Sequence, residues 1–348
     1  MKIFITGAAG FIGSQLAYKM LKSAHEVLLL DNFSYGHEDN LIFPDYDFRS
    51  EIIRGDIRDT DLIRKLFKEH NFDCVCHIAA ITPLPDCQMN PAQAADVNVT
   101  GTVNLLEASR IYGVKKFLFA STSAVYENNT DFPSVESNVI PPSLVYPSTK
   151  YAAEQFCRSY ADVYGMDTVC LRFANVYGPH LDCLRTQPPV LGYLIRELFH
   201  GRSPVLHGTG EQRRDFVYVG DLTDLTESVL KANGCDTVNV SSGKTYSINE
   251  LMTLTARLMG SAIKPVYREA AHFWHSYPEL YQGSYPISED ALNGEVTKFT
   301  CLSNSHAFEK YGWKPQTDLE TGVKNTIEFS VRILNSTKDR DNVKILEQ

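Results

Sequence analysis

Residues 4 to 14 read FITGAAGFIGS, with three glycines at three-residue spacing directly behind an apolar run. That order predicts a strand ending at Thr6, a tight turn and a helix starting near Gly13. Such a turn aims free backbone N–H groups and the positive end of a helix at one spot, which suits a pyrophosphate. Gly7 makes the turn, Gly10 lets the backbone touch the phosphates, and Gly13 lets helix and strand pack closely. The spacing is G-x-x-G-x-x-G rather than the commoner G-x-G-x-x-G, so a merely tight strand-to-helix turn stands as the alternative. The second apolar run, EVLLLD, narrows the choice, because it ends in Asp31, eighteen residues after Gly13, where a carboxylate can bind a ribose diol. The same anion repels a 2′-phosphate, and neither Asn32 nor Phe33 brings a cation to offset it, so NAD is favoured over NADP. A third run ends in GDIRD and sets Asp56 and Ile57 at an edge where an adenine ring can be gripped.

Short β-rich runs (KIFITG, EVLLLD, EIIRGD, CVCHIAA, KFLFAST and TVCLRF) alternate with segments of helical period at 14–22, 61–70, 96–112 and 148–164. Strand-helix alternation of this kind predicts an α/β fold, a doubly wound parallel sheet of the Rossmann type. With 348 residues, 43% of them hydrophobic, the chain can bury one large core and a smaller one. The rhythm changes after Phe173, through NVYGPH, TQPPV and the aromatic, histidine and proline-rich AHFWHSYPELYQGSYP. We therefore expect the NAD-binding domain in residues 1–175 and 213–244, with TVNVSSG rejoining the sheet. A smaller interleaved lobe takes 176–212 and 245–335, and 336–348 is expected to be a flexible tail.

The net charge of −9 argues against a nucleic-acid partner, since such proteins carry a basic excess on at least one face. Eight cysteines show no Cys-x-x-Cys or zinc-like spacing and read as reduced core thiols. His272 and His275 in HFWH lack a third ligand and read as loop packing, so no metal is expected. The start of the chain has no signal-peptide pattern and no run of about 18 apolar residues occurs, so a soluble, cytoplasmic protein with no membrane contact is expected.

YPSTK places Tyr146 and Lys150 at i and i+4 on one helix face. The pattern alone carries nothing, for Tyr18/Lys22 and Tyr112/Lys116 repeat it. Only Tyr146 follows a strand ending in hydroxyls, FASTSAVY, the arrangement that sets residues over a cofactor at a sheet's carboxyl edge. A free tyrosine titrates near 10, so a base needs help, and the Lys150 ammonium with the positive nicotinamide ring is expected to lower its pKa. Thr122 or Ser123 can share a hydrogen bond with the substrate oxygen.

These residues resemble the extended short-chain dehydrogenase/reductase family, in its nucleotide-sugar epimerase and dehydratase branch. The resemblance runs from Lys2 to about Gly322 on TGAAGFIG, LDNFSYG, GDIRD, HIAA, NVTGTVNLLEAS, STSAVY, YPSTKYAAE, LRFANVYGP, RRDFVYVGDL and YGWKPQTDLETGV, in family order. It implies Tyr146 as base, Lys150 as its activator and Thr122 as the active-site hydroxyl. It implies Phe11 and Ile12 beside the pyrophosphate, Asp31 and Asn32 at the ribose, and Asp56 with Ile57 at the adenine. Ala79, Ala80, Asn98 and Phe173 match positions lining the cofactor, and Asn175 and Arg214 match groups at the diphosphate of a sugar nucleotide. A guanidinium suits phosphate, which explains a locally basic QRRD in an acidic chain; Arg213 reads as a solvated charge. A homodimer through the helices at 96–112 and 148–164 is implied as well.

Departures shape the reading. The 4,6-dehydratases carry an Asp-Glu pair where Ser123 and Ala124 stand, and sugar-acid decarboxylases a glutamate at the place of Ala124. Glu127 follows Tyr126 where relatives have glycine, ITPLPDCQ replaces the usual loop over the nicotinamide, and Leu292 stands about where a second phosphate-binding arginine is common. Trp274 and Tyr281 either stack on a base or sugar or pack the small lobe. The expectation is a nucleotide-diphosphate-sugar epimerase acting at C4 with tightly held NAD. The rivals are a sugar oxidoreductase, a decarboxylase or dehydratase of the same family, and a non-catalytic NAD-sensing regulator.

Overall fold

The computed structural model describes residues 1–346, with side chains to residue 336. Seven strands form the main sheet: β1 (Lys2–Thr6), β2 (Glu26–Asp31), β3 (Ile52–Arg54), β4 (Cys74–His77), β5 (Lys116–Thr122), β6 (Asp167–Phe173) and β7 (Asp236–Val240). They lie in the order β7-β6-β5-β4-β1-β2-β3, and every pairing is parallel. A parallel sheet is covered on both faces, and so its strands read as near-continuous apolar runs. In β1, Ile3 and Ile5 enter one core with Leu16, Met20 and Leu118, while Phe4 enters the other with Phe67, Phe117 and Leu105. β1 has β2 on one side and β4 on the other, which makes the carboxyl end of β1 a switch point where a crevice opens.

The helices that matter for this crevice begin where local chemistry sets them. α1 (Phe11–Lys22) starts two residues before Gly13, with Gly10 as its N-cap. α2 (Thr60–His70) is capped by Asp59, whose carboxylate accepts from Leu62 N, and it ends on Asn71 in the left-handed region. α3 (Gly101–Ile111) is preceded by a π-helical turn, Asp96–Thr100, which carries Asn98. α4 (Val145–Tyr164) ends at Gly165 with φ of 69°. It starts three residues ahead of the 148 expected, so Tyr146 stands in its first turn.

Beyond β6 the chain builds a third core around Leu194, Ile195, Leu251 and Val323, from helices Val190–Phe199, Ile248–Leu258 and Leu319–Leu346. Strands Asn175–Tyr177, Arg213–Tyr218 and Thr245–Ser247 form a separate three-stranded sheet. The aromatic tract folds as two 3-10 turns, Ala270–Ser276 and Pro278–Tyr281. Trp274 and Tyr277 join Leu280 and Leu292 in a small cluster against Leu84 and Met89, so the two unusual segments at 81–88 and 270–290 pack on each other. The last helix runs to Leu346, so its backbone continues through most of the stretch read as a flexible tail, and residues 347 and 348 lie outside the described ones. All eight cysteines are free, and six are buried. Among the described residues no helix is long and apolar enough to cross a membrane.

Candidate active site

The crevice at the switch point widens into one cavity of about 1250 Å³, shared by the main sheet and the later elements. Its floor is the glycine turn. Gly7 has φ of +70°, and a Cβ there would sit 2.6 Å from Ala79 N across the switch point. A Cβ on Gly13 would sit 2.0 Å from Gly7 O, which no side chain can accommodate. Gly7, Gly10, Phe11, Ile12 and Gly13 all line the cavity, so they would offer a dinucleotide pyrophosphate bare backbone and a helix N-terminus.

Asp31 and Asn32 line the same cavity at the end of β2. The Asp31 carboxylate is fixed by Ala9 N at 2.9 Å and Phe33 N at 2.7 Å, and burial pushes its pKa up against those donors. Each of its oxygens keeps a lone pair for a ribose hydroxyl. Ile57 lines the cavity, but Asp56 does not. Its carboxylate is held by Arg58 at 2.8 and 2.9 Å and by Asn32 Nδ2 at 2.9 Å, which keeps it well below the usual carboxylate range. Arg58, which the sequence reading passed over, is the wall residue instead, and Asp56 with Asp96 neutralises it. A 2′-phosphate would therefore meet Asp31 without a spare cation. The donor set fits NAD.

Ala79, Ala80 and Phe173 line the cavity, whereas Asn98 sits behind its wall. Asn98 exchanges hydrogen bonds with Ile81 (2.8 and 2.9 Å) and donates to Thr149 Oγ1 at 3.0 Å. It thus pins the loop after β4 to α4, a positioning role in place of the lining role implied by resemblance.

Of the three Tyr-x-x-x-Lys pairs, only Tyr146 and Lys150 reach the cavity. Tyr18 and Lys22 share Asp45 at the surface. Lys116 is buried on β5, with Asp167 at 3.3 Å. Thr122, at the end of β5, accepts from Ala124 N at 3.1 Å, which leaves its proton free to go to Tyr146. Thr122, Ser123 and Ala124 all line the cavity. Lys150 is 2% exposed and lies over the Phe119 ring at 4.2 Å, and burial pushes its pKa down to about 8. Tyr146 departs from expectation. Burial pushes its pKa up to about 12, Thr122 draws it down, and Lys150 is not among the groups acting on it. In the protein alone, desolvation of the phenolate outweighs the hydrogen bond from Thr122; the lowering expected of Lys150 together with the nicotinamide ring belongs to the NAD-bound site.

Two groups hold this arrangement that sequence reasoning missed. Glu154 lies two turns beyond Tyr146 on α4 and makes a buried bidentate pair with Arg172 of β6, at 2.9 and 2.7 Å. Arg172 also donates to Tyr126 OH at 2.7 Å. Four-residue steps from Tyr146 to Lys150 to Glu154 were readable; the partner, eighteen residues on in a strand, was not.

At the far end Asn175, Arg214 and Ser123 line the cavity. Asn175 Nδ2 donates one of its two N–H groups to Asp215 O at 3.0 Å. Among the described residues the Arg214 guanidinium has no carboxylate partner. Its Nη atoms donate to backbone carbonyls of Arg213 (3.2 Å), Lys298, Glu295 (3.2 Å) and Val296 (3.0 Å), closing the C-terminal turn of helix Glu289–Thr297. Burial pushes its pKa down to about 10. Arg213, read as a solvated charge, is part-exposed and pairs with Glu250 at 3.0 Å and Thr245 O at 2.7 Å. His207 and His272 stack at 6.0 Å beside Phe273 on the same wall. Among the described residues no group of three His, Cys, Asp or Glu side chains is placed to hold a metal ion.

The sequence profile of the NAD dependent epimerase/dehydratase family matches residues 3–241. The chain belongs to that family. Its fold is the Rossmann fold of this family and its cofactor is NAD. This family member is 32% identical to the UDP-glucose 4-epimerase of Mycolicibacterium smegmatis, over 94% of this chain and 98% of that one. It is 29% identical to the UDP-glucuronate 4-epimerase of Thermodesulfobacterium geofontis, over 96% and 98% of the two chains. It is also 29% identical to the dTDP-D-glucose 4,6-dehydratase of Mus musculus, over 98% and 91%. Among solved structures, the UDP-glucose 4-epimerase of Thermotoga maritima with UDP-glucose superposes with a TM-score of 0.84 at 30% identity, covering 96% of this family member and 100% of that chain. The Thermus thermophilus UDP-glucose 4-epimerase with NAD gives 0.79 at 28% identity, covering 95% and 99%.

Proposed function

We propose that this protein is an NAD-dependent epimerase of nucleotide-diphosphate sugars that inverts C4 by transient oxidation to a keto-sugar and reduction from the opposite face. The observation that carries the reading is the single cavity in which the glycine turn, Asp31, Thr122, Tyr146 and Lys150 converge, with Asn175 and Arg214 at its other end. When bound, NAD supplies a reversible hydride acceptor and a positive ring beside the phenol. Tyr146 takes the sugar hydroxyl proton and later returns it. Thr122 donates to the Tyr146 oxygen, which favours the phenolate, and Lys150, desolvated over Phe119, adds positive charge to the site. The remaining N–H of Asn175 and the Nε–H of Arg214 are the donors left to orient the diphosphate.

Three further observations support this reading. The carboxylates lining the cavity are Asp31, Asp182 and Glu295. Asp31 is fixed at the ribose end by two backbone N–H groups, Asp182 faces His37 at 3.5 Å, and Glu295 pairs with Lys298 at 2.7 Å. None of them stands as an acid-base pair beside Thr122, where Ser123 and Ala124 are. Elimination of water or loss of a carboxylate therefore lacks its own catalyst, while oxidation and its reversal need only Tyr146 and NAD. Ile111, Phe156, Val163 and Tyr164 are exposed on α3 and α4, which supports a homodimer through those helices.

The test is Tyr146→Phe assayed with UDP-sugars. It should keep its NAD and lose about a thousandfold or more in kcat, the scale of acid-base catalysis. Equal turnover would remove Tyr146 from the chemistry. Stoichiometric release of a keto-sugar with NADH by the wild type would favour an oxidoreductase, and no turnover with any sugar nucleotide would favour an NAD-sensing regulator.

A further inference from the structure

Glu127, the residue that stands after Tyr126 where relatives carry glycine, has no part in the reaction above. Its Oε1 accepts from Ser143 N and from Leu144 N at 2.8 Å, just ahead of the helix that presents Tyr146. Its Oε2 is buried and has no hydrogen-bond partner among the described residues. Glu127 lines a pouch of about 10 Å³. Ser134, 2% exposed, lines the same pouch, and its Oγ also lacks a partner. Two orphan polar atoms on one small void are rare, because each unsatisfied buried group is destabilising.

The pouch shares part of its wall with the site. Ser123, Lys298 and Thr300 line both it and the main cavity, and Phe132 and Phe299, edge to face at 4.8 Å, stand at its other side. Its volume is that of about one water-sized oxygen. Lys298 is already paired with Glu295, so the unmet demand is for a hydrogen-bond donor rather than an anion.

We infer that the pouch is a subsite for one hydroxyl group of the substrate's sugar, with Glu127 Oε2 as acceptor and Ser134 Oγ as second partner. It selects neutral sugars and disfavours sugar acids, whose carboxylate is too large for the void and faces a second carboxylate in Glu127. The inference rests on the epimerase reading and deepens it by naming the substrate class.

Glu127→Gln tests it, because the amide oxygen can still accept from Ser143 and Leu144 while the amide N–H₂ replaces the Oε2 acceptor. Ser134→Ala is the second variant, should the first fail to fold. Kinetics with UDP-glucose and UDP-glucuronic acid are read beside the affinity for UDP alone. The wild type should prefer UDP-glucose. Glu127→Gln should raise its KM about tenfold or more while UDP affinity and NAD content stay fixed, and Ser134→Ala should raise KM less. An unchanged KM with a lower kcat would overturn the subsite, leaving Glu127 as a support for α4. A wild-type complex with the sugar bound and only a water in the pouch would overturn it as well. If the wild type neither binds UDP nor turns over any UDP-sugar, the epimerase reading itself falls. If it turns over UDP-glucose and neither variant differs, only the subsite does.

Discussion

Lys150 shows what a working site asks of single residues. Its ammonium is 2% exposed, faces an aromatic ring and has its pKa pushed down to about 8 from the usual 10.5, so at neutral pH it is charged where charge is disfavoured. A base whose folded pKa is depressed contributes full stability only above the unfolded pKa, and that contribution is lost as pH falls through the folded value. At pH 7 the cost is complete, on the order of 3 kcal/mol. Lys150→Met should therefore make the NAD-free protein more stable by about that amount at pH 7 while abolishing turnover. Chemical denaturation across pH 7 to 11 checks this, and the gain should fade as pH rises above about 8. Gly7 and Gly13 were legible in the sequence because backbone approach dictates residue type there. The raised Tyr146 pKa was not, since it follows from burial that no local pattern encodes.

At the scale of elements, α4 is the part that carries chemistry, and three interactions fix it from three sides. Asn98 holds it through Thr149, Glu127 holds the turn before it, and Glu154 locks it to β6 through Arg172. The Arg172–Glu154 pair is 4–5% exposed at its side chains, so removing one partner strands a buried charge. Arg172→Met should cost about 3–5 kcal/mol in unfolding free energy, the range for broken buried pairs. Glu154→Gln in the same background should recover part of it, and unfolding curves of the single and double variants measure both. Strand and helix order along the first 173 residues was readable from apolar runs and period. Helix starts were less so: α4 begins at Val145 with Leu144 as an N-cap that makes no side-chain hydrogen bond, so no Ser, Thr, Asp or Asn occupies the cap itself.

Across the whole molecule, the cavity is walled by segments far apart in sequence, from the glycine turn to Thr300. Most of the cofactor half of the cavity wall was legible because Gly7, Asp31, Ile57, Ala79 and Thr122 stand at or just past strand ends, whose position the sheet order determines; Asp56 and Asn98, which do not line it, were not. The sugar half was not. Loops 81–88 and 270–290 meet through Leu84, Met89, Trp274 and Leu280, an encounter set by tertiary packing alone. Arg214, placed at the diphosphate by resemblance, turns most of its donors to the carbonyls around residues 295 to 298. What unites both halves is the claim that one hydrogen leaves the sugar carbon and returns to its other face without meeting solvent. The most direct test is proton NMR of UDP-glucose incubated with the purified protein in D₂O without added cofactor. The account predicts growth of the C4 epimer with its C4 hydrogen fully retained. Deuterium at C4 of the product, or NADH accumulating in step with a keto-sugar, would contradict it.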